Sequence, residues 1–310
     1  MCSILAYMAR ASYTLAPCKT ALNRVQGMPF AWSLNPYRGC THGCQYCYAR
    51  ATHAHLGLNA GPEFTQRIFV KSNVVDVLRR ELAARSWRRE EVAIGTATDP
   101  YQPGEGRFLL MPDILQAFTE YQSPVSIVTK STLVFRDLER LVRLQATAGA
   151  RVSFTITTLD PELWRALEPG TPPPLQRLAV MRRLVDAGVP CGVFLAPVVP
   201  GLTDSPAALA DTAAAAHAHG ASWLWASPLR LAPLVKEHYL DWLGEYRPDL
   251  LTRYDQGFRG ANTSPRYQAW LERQVARARA AAGFPPEGPS RSRPIVAGEA
   301  TRQLALALST

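Results

Sequence analysis

The most informative stretch of this chain is residues 35–50, which read NPYRGCTHGCQYCYAR. It places three thiols, Cys40, Cys44 and Cys47, at C-x3-C-x2-C spacing on a loop that contains glycine. Such crowding in an otherwise cysteine-poor chain is typical of a metal or cluster site rather than of a disulfide framework. Thiolates are the usual ligands of iron–sulfur clusters, and a 4Fe–4S cluster normally takes four of them. Three ligands therefore leave one iron open to bind another molecule.

A structural zinc site is the competing interpretation of these thiols. Structural zinc is held by four N or S ligands, and His42 could supply the fourth. His42 lies between Cys40 and Cys44, however, which is too close in sequence for a comfortable tetrahedron. We therefore favour the cluster and interpret His42 as a polar loop residue.

Beyond this loop, apolar strand-like runs alternate with amphipathic helical patterns. The predicted strands are 31–36, 91–97, 124–129, 151–158, 190–197 and 221–227. Helical periodicity begins near residues 74, 111, 138, 178 and 206, and returns over 234–246 and 264–282. This alternation requires crossover connections and a mostly parallel α/β sheet, either open and doubly wound or curved into a full or partial barrel. In both arrangements the active site gathers at the carboxyl ends of the strands.

Composition narrows the class of protein further. The formal net charge is +9, and hydrophobic residues at 47% with charged residues at 19% describe an ordinary globular chain. No apolar run approaches the roughly 20 residues that span a bilayer, which excludes an integral membrane protein. The N-terminus lacks a basic region and Arg10 interrupts its apolar segment, so we expect a cytoplasmic protein. The basic charge permits a nucleic-acid partner, although scattered arginines are equally typical of a solvated surface.

Several motifs resemble one enzyme family. The cysteine triplet, with Tyr46 just before its last member, is similar to the radical S-adenosylmethionine superfamily, whose partial (β/α)6 TIM-like barrel also fits the alternating pattern. More narrowly, LNRV at 22–25, NPYRGC, CYAR and TDPYQP at 98–103 resemble the spore photoproduct lyase-like, or "DNA repair photolyase", branch. The expected fold is thus a partial barrel of parallel strands with outer helices and extra C-terminal helices.

The resemblance also implies a chemistry. Cys40, Cys44 and Cys47 would hold a 4Fe–4S cluster whose open iron chelates the amino and carboxylate groups of S-adenosylmethionine. One electron would cleave the sulfonium and release a 5′-deoxyadenosyl radical, which abstracts hydrogen from a substrate in a lyase-like reaction. The protein would orient the cofactor and exclude water. The electron would come from a donor such as flavodoxin or ferredoxin, and the branch points to a nucleic-acid lesion as substrate.

Further cofactor contacts follow from the same resemblance. Relatives often carry a Gly-Gly-Glu stretch after the second strand that meets the methionine amine. This chain departs from it with GTATD, so Thr96, Thr98 or Asp99 would take that place. Lys130, which closes the third strand, resembles the basic residue that meets the methionine carboxylate. Tyr46 would lie near the adenine.

The fourth strand and two loops complete the candidate site. Ser153, Thr155 and Thr157 share one face of the strand by the period-two rule, which suits a ribose contact or a polar barrel interior. Four residues that follow the second strand or end the sixth are candidates for the substrate pocket: Tyr101, Glu105, Trp225 and Ser227.

The predicted organisation has four segments. Residues 1–30 form an N-terminal extension, and 31–230 form the partial barrel with its cluster loop at 38–50. A helical extension of the same domain covers 231–283. The composition then changes to FPPEGPSRSRP, and we predict a flexible tail over 284–310.

The remaining cysteines limit the resemblance. Spore photoproduct lyases use a cysteine as hydrogen donor, which has no match here: Cys191 begins the fifth strand, and Cys2 and Cys18 lie near the N-terminus. These three are too dispersed to hold a second cluster. The alternative function is a non-catalytic metal- or nucleic-acid-binding module that uses the basic surface. Steeply salt-dependent DNA binding without cofactor cleavage would identify it.

Overall fold

Strands and helices alternate through residues 11–286, which the computed structural model describes apart from the side chain of His55. The strands are β1 (Ser12–Ala16), β2 (Leu22–Arg24), β3 (Trp32–Leu34), β4 (Tyr37–Arg38), β5 (Arg67–Lys71), β6 (Val92–Ile94), β7 (Val125–Thr129), β8 (Ala150–Thr155), β9 (Cys191–Val198), β10 (Leu224–Pro228), β11 (Phe258–Arg259) and β12 (Asn262–Thr263). The helices are α1 (Glu63–Gln66), α2 (Val74–Leu82), α3 (Glu105–Phe108), α4 (Leu110–Glu120), α5 (Leu138–Thr147), α6 (Pro161–Leu167), α7 (Pro174–Asp186), α8 (Pro206–Ala218), α9 (Pro233–Tyr246), α10 (Leu251–Gly257) and α11 (Pro265–Ala282). Short 3-10 helices span Tyr48–Leu56, Thr132–Asp137 and Pro248–Leu250.

The six strands predicted from the apolar runs form one parallel array. The sheet has the order β10-β9-β8-β7-β6-β3-β2, and β2 alone pairs antiparallel, with β3. Because β10 and β2 are its two edges, the sheet is open and forms a partial barrel. The predicted α/β fold, a partial TIM-like barrel with additional C-terminal helices, is confirmed.

The two faces of this sheet have different chemistry because side chains alternate along each strand. On β8, Val152 and Phe154 are fully buried in the main hydrophobic core, together with residues of α2, α4, α5, α7 and α8. Burying a side chain of this size contributes about 1.5–3 kcal/mol, so this face holds the helices to the sheet. Ser153 and Thr155 lie on the opposite, concave face, which is therefore the polar one.

A second, smaller sheet carries the start of the cysteine loop. Its order is β1-β5-β4, with β1 parallel and β4 antiparallel to β5. Sequence analysis did not anticipate it, because β1 lies in the predicted extension 1–30 and β4 has only two residues. The predicted boundaries at 1–30, 31–230, 231–283 and 284–310 stay predictions, and most of the last segment lies outside the described residues.

The C-terminal helices cover the loop side of the barrel. Residues of α9 and α10 share a hydrophobic cluster with Cys44 and Tyr46 of the cysteine loop. His238 of α9 also contacts Gln45 of that loop, with Nε2 3.0 Å from Oε1. Within residues 11–286 no helix has the length and hydrophobicity needed to cross a membrane.

Candidate active site at the cysteine loop

The cysteine loop begins at a position where only glycine fits. Gly39 has φ +81°, and a Cβ there would lie 2.9 Å from the carbonyl oxygen of Phe64 and 3.0 Å from that of Arg67. The next residue, Cys40, donates its backbone N–H to the same Phe64 oxygen at 3.1 Å. The loop is therefore pressed directly against the segment that leads into β5.

Arg50 holds the loop from its other end. The side chain is fully buried, and its guanidinium donates to the carbonyl oxygens of Gly43 (2.9 Å), Cys44 (3.0 Å), Ala60 (3.1 Å) and Gly61 (3.1 Å). Arginine suits this role because its planar fork presents several fixed donors at once. The hydrogen bonds fix the backbone around the second cysteine before any ligand arrives.

The three cysteines form a donor set that suits an iron–sulfur cluster. All are free thiols, with Cys40 and Cys44 buried and Cys47 partly exposed. Burial raises the pKa of the Cys40 thiol above its ordinary value and that of Cys44 to about 12, whereas coordination to a metal deprotonates a thiol. In the described part of the chain, no three His, Cys, Asp or Glu side chains are grouped to hold a metal ion. Three thiols on one fixed loop fit a multi-iron cluster, whose ligands are spread around it, better than one zinc ion.

The segment after β6 forms hydrogen bonds with the loop from the barrel side. Thr98 donates its hydroxyl to the carbonyl oxygen of Gly39 at 2.8 Å, and the amide of Gln102 donates to the same oxygen at 3.1 Å. The Gln102 carbonyl oxygen in turn accepts the backbone N–H of Thr41 at 3.0 Å. Thr98, predicted to contact the cofactor, thus has its hydroxyl committed to the loop.

Asp99 is also occupied by its own chain. Its carboxylate accepts the hydroxyl of Thr129 (2.8 Å) and the backbone N–H groups of Tyr101 (2.9 Å) and Lys130 (2.7 Å), and lies 3.3 Å from His42 Nδ1. Burial would raise the pKa of this carboxyl, but the nearby His42 and the hydrogen bonds outweigh it and hold the pKa below its usual range. The structure therefore places Asp99 as a junction between the loop, β6 and β7.

Thr96, the third candidate after β6, lies at the strand end. It is partly exposed, and its hydroxyl accepts a hydrogen bond from Asn35 Nδ2 at 3.1 Å. The Asn35 carbonyl oxygen accepts the backbone N–H of Ala97 at 2.8 Å. Asn35 thus orients the Thr96 hydroxyl at the strand end.

Lys130 lies beside the cysteine loop at the end of β7. Its ammonium is 5.7 Å from the centroid of the Tyr46 ring, within the range of a cation–π contact. Burial would lower the pKa of Lys130, but the charge of Glu168, and the charge that Cys44 carries once it is a thiolate ligand, outweigh burial and raise the pKa above its ordinary value. Lys130 therefore presents a cationic group beside the loop, and its contact with the methionine carboxylate stays a prediction.

Tyr46 is anchored at its phenol end. The hydroxyl donates to the carboxylate of Glu168 and lies 3.0 Å from the hydroxyl of Thr157, which itself donates to Glu168 at 2.9 Å. Glu168 pairs with Arg177 at 2.6 Å, and both side chains are buried. Arg177 also donates to the carbonyl oxygen of Thr155 at 2.9 Å. The network thus joins two of the three predicted hydroxyl residues to the loop.

Ser153 lies nearer the amino ends of the strands than Thr155 and Thr157 do. Its hydroxyl accepts the indole N–H of Trp223 at 3.3 Å, and the Trp223 ring lies over Gly192, where a Cβ would come within 2.2 Å of it. Because Trp223 immediately precedes β10, this contact lies near the amino ends of the strands. The structure separates Ser153 from the loop that Thr155 and Thr157 approach.

An aromatic pair lines the concave face at the open edge of the barrel. Trp225 of β10 pairs in register with Phe194 of β9, and their rings meet edge to face with centroids 5.4 Å apart. In the same row across the sheet, Phe194 pairs with Thr155 of β8. Val128 of β7 pairs with Ser153, so the position two residues later on both strands places Lys130 beside Thr155. Trp225 is 42% exposed, so one ring of this row is open to a ligand. The strand spacing of about 4.8 Å places it roughly 14 Å from Lys130.

Two of the predicted pocket residues are instead fully buried. Glu105 accepts the hydroxyl of Tyr37, the backbone N–H groups of Leu110 and Met111, and the guanidinium of Arg136. Its carboxylate therefore caps the start of α4. Tyr101 is also 0% exposed, whereas Ser227 is partly exposed on β10 near Trp225. Of the four, Trp225 and Ser227 have surface that a substrate can reach.

The other cysteines lie away from the loop. Cys191 is buried in the main core at the start of β9, and Cys18 has its backbone bound by Asn73. Cys2 lies outside the described residues.

Comparison with known proteins identifies the family of this chain. The family model described as the Radical SAM superfamily matches residues 34–213, which is more than half of the chain. The chain belongs to the radical SAM superfamily. It is an enzyme, and the family implies S-adenosylmethionine and a 4Fe–4S cluster as its cofactors.

The chain is also similar to individual proteins. An uncharacterized protein of Mycobacterium tuberculosis is 42% identical over 263 residues, which cover 84% of this chain and 77% of that protein. An uncharacterized protein of Methanocaldococcus jannaschii is 27% identical over 179 residues, or 58% of this chain and 64% of that protein. Among solved structures, spore photoproduct lyase complexed with a dinucleoside spore photoproduct has a TM-score of 0.62 at 19% identity, covering 86% of this chain and 78% of that one. At that identity the likeness shows the shared fold.

Sequence reasoning missed four residues that hold the cysteine loop and its surroundings together. Arg50 and Gln102 stand inside the quoted motifs CYAR and TDPYQP, so the motifs could have drawn attention to them. Glu168 and Arg177 carry no local signal, because a turn glutamate and a helical arginine are ordinary surface residues in most proteins. Only the fold brings those two together.

Proposed function

We propose that the three thiolates of Cys40, Cys44 and Cys47 hold a 4Fe–4S cluster, and that the enzyme acts on a substrate bound on the concave face of the barrel. Such a cluster would supply the electron for reductive cleavage of S-adenosylmethionine, and with it the power to abstract hydrogen from a substrate. The carrying observation is the fixed loop of three free thiols next to the cationic Lys130 at the carboxyl ends of parallel strands.

The residues of the chain divide the remaining tasks. Arg50 and Gln102 fix the loop backbone, so that little ordering is needed when the cluster assembles. Lys130 offers its ammonium to the methionine carboxylate, and Thr96 offers a hydroxyl to the amine. Helices α9 and α10 cover the loop from outside, which keeps water from a reactive intermediate.

The substrate we propose is a damaged nucleic acid. Trp225 presents an exposed ring inside the barrel, and stacking of a base on an aromatic ring contributes about 1–3 kcal/mol. The net charge of +9 attracts a polyanion. The required electron would come from a donor such as flavodoxin or ferredoxin.

Anaerobic reconstitution tests the cofactor chemistry directly. The protein is loaded with iron and sulfide, reduced with dithionite, and given S-adenosylmethionine, and 5′-deoxyadenosine is then measured. We expect slow uncoupled cleavage in the wild type, none in Cys44→Ala, and retained cleavage in the matched control Cys191→Ala, which removes a buried thiol outside the loop. A tightly held zinc ion without iron uptake would contradict the proposal.

The substrate is tested on the same preparation. Damaged DNA and RNA oligonucleotides carrying a hydrogen isotope label are added, and appearance of the label in 5′-deoxyadenosine is followed. We expect a lesion-containing strand to accelerate cleavage, and Trp225→Ala to reduce that acceleration without changing the uncoupled rate. Salt-sensitive DNA binding by a protein that never cleaves the cofactor would instead identify a binding module.

A further inference from the structure

The end of α6 and the turn that leads to α7 form three hydrogen bonds with the cysteine loop. Leu167 accepts the backbone N–H of Gln45 at 3.0 Å, and Gly170 donates its N–H to the carbonyl oxygen of His42 at the same distance. Glu168 lies between them and accepts the phenol of Tyr46. A Cβ on Gly170 would lie 2.3 Å from Thr41 O, so the backbone of this turn lies directly against the loop at that position.

The carboxylate of Glu168 is charged, and both of its oxygens accept hydrogen bonds. Burial would raise the pKa of its carboxyl, but Arg177 and Lys130 outweigh burial and lower the pKa to about 2. One oxygen accepts Tyr46 and Thr157, and the other accepts Arg177. A buried carboxylate with this many donors has one stable orientation, and it transmits that orientation to the phenol it accepts.

The ring of the same tyrosine contacts Lys130. The ammonium lies 5.7 Å from the ring centroid, and in the described chain it forms no ion pair within 4 Å. Glu168 and Arg177 neutralise each other, so the partly exposed Lys130 leaves one positive charge next to the loop. That charge is available to an anionic group of a ligand.

We propose that Glu168, held by Arg177, is a positioning residue for the cofactor site: it anchors the phenol of Tyr46, and the anchored ring places Lys130 for the methionine carboxylate. This inference rests on the proposed function, because it takes S-adenosylmethionine as the ligand of Lys130. Neither Glu168 nor Arg177 touches the cofactor in this scheme.

Removing Glu168 alone would not test the idea, because Arg177 would remain as an unpaired buried charge and the protein could fail to fold. Two double variants avoid this problem. Glu168→Met/Arg177→Met removes the ion pair and the acceptor for the phenol. Glu168→Gln/Arg177→Met also removes the ion pair but keeps an amide oxygen that accepts the phenol.

The test measures thermal unfolding of the apoproteins and then the Kd of S-adenosylmethionine for the cluster-loaded proteins by equilibrium dialysis. We expect the two doubles to unfold at similar temperatures. The Met/Met protein should bind S-adenosylmethionine roughly tenfold more weakly than wild type, as expected for loss of an oriented cation–π support, while the Gln/Met protein binds nearly as wild type. Rescue by the retained acceptor is the result that a merely structural pair would not produce.

Tyr46→Phe supplies the second arm. It keeps the ring but removes the hydroxyl, so it should weaken S-adenosylmethionine binding by a comparable factor. Adding Glu168→Met/Arg177→Met to Tyr46→Phe should then cause little further loss, because the two changes interrupt one path.

The outcomes separate this inference from the proposed function. If wild type takes up no cluster or binds no S-adenosylmethionine, the proposed function fails. If wild type binds it and both doubles bind it equally well, or equally badly, the positioning role of Glu168 is overturned while the proposed function stands. Additive losses in the Tyr46→Phe background would likewise overturn the path through Tyr46.

Discussion

Two buried networks in this enzyme have the same three parts and different surroundings. In one, Tyr37 donates to Glu105, which pairs with Arg136 at 2.7 Å. In the other, Tyr46 donates to Glu168, which pairs with Arg177 at 2.6 Å. Both glutamates are at most 1% exposed.

The networks differ in what their glutamates hold. Glu105 binds the first two amides of α4, and its arginine partner is 25% exposed. Glu168 binds the cysteine loop through Tyr46, and its partner Arg177 is fully buried. The same chemical unit therefore serves a helix end in one place and a reactive loop in the other, and only the neighbouring residues reveal which.

Breaking the network of Tyr46, Glu168 and Arg177 should lower the free energy of unfolding more than any other change considered. Glu168→Met leaves Arg177 buried without its partner, which should lower the free energy of unfolding by about 3–5 kcal/mol. The cysteine loop should loosen with it, so cluster uptake per folded protein falls as well. Chemical denaturation and iron content measure the two effects, and a variant of wild-type stability would refute the expected energy.

Breaking the first network should affect stability alone. Glu105→Gln weakens the cap of α4 and the pairing with Arg136, and should lower the free energy of unfolding by about 1–3 kcal/mol. Because Arg136 keeps Asp137 at 2.8 Å and reaches solvent, the loss should be smaller than for Glu168→Met. Below the unfolding transition, the Kd for S-adenosylmethionine should match wild type, and a weaker Kd would show that the two networks are coupled.

Lys130→Met should give the opposite pattern, with weak binding and an intact fold. Its ammonium forms no ion pair in the described residues, so its removal should leave the unfolding midpoint unchanged or slightly raised. Binding of S-adenosylmethionine should weaken roughly tenfold or more through loss of a charged contact. Binding equal to wild type would place the carboxylate elsewhere.

Removing a single phenol hydroxyl from each network should have the smallest effect on stability and gives the most direct comparison of the two networks. Tyr37→Phe and Tyr46→Phe each remove one hydroxyl that donates to a buried glutamate, and each should lower the free energy of unfolding by about 1–2 kcal/mol. Only Tyr46→Phe should also weaken S-adenosylmethionine binding. Parallel denaturation and dialysis on this pair would reveal whether the phenol anchors matter equally.

Much of the barrel was predictable because its signals are local. Each of the six parallel strands coincides with a run that the apolar pattern identified, since strands of a parallel sheet that is covered on both faces are rich in such runs. The helix from Met111 was also recognisable from its periodicity, and the structure has α4 there. The small sheet was not, because β4 has two residues and pairs with β5 only after about thirty intervening residues have folded.

The candidate site divides in a similar way. The thiol spacing and the Lys at a strand end are visible in the sequence, and the structure brings Lys130 to the cysteine loop. Glu105 attracted attention as an acidic residue in an active-site loop, yet its carboxylate is used by α4. Its true partners, Tyr37 and Arg136, are far away in the sequence.

By itself, the sequence determined the class of fold, the superfamily and the three candidate ligands, because periodicity and motif spacing are properties of short segments. Only the tertiary structure decided which polar groups are committed to the protein and which remain for a ligand. Asp99 and Glu105 lost their free oxygens to distant partners, and Glu168 gained a role through Tyr46. Hydrogen-bond capacity is limited and is used up by whichever groups folding brings near, so availability cannot be judged from residue type alone.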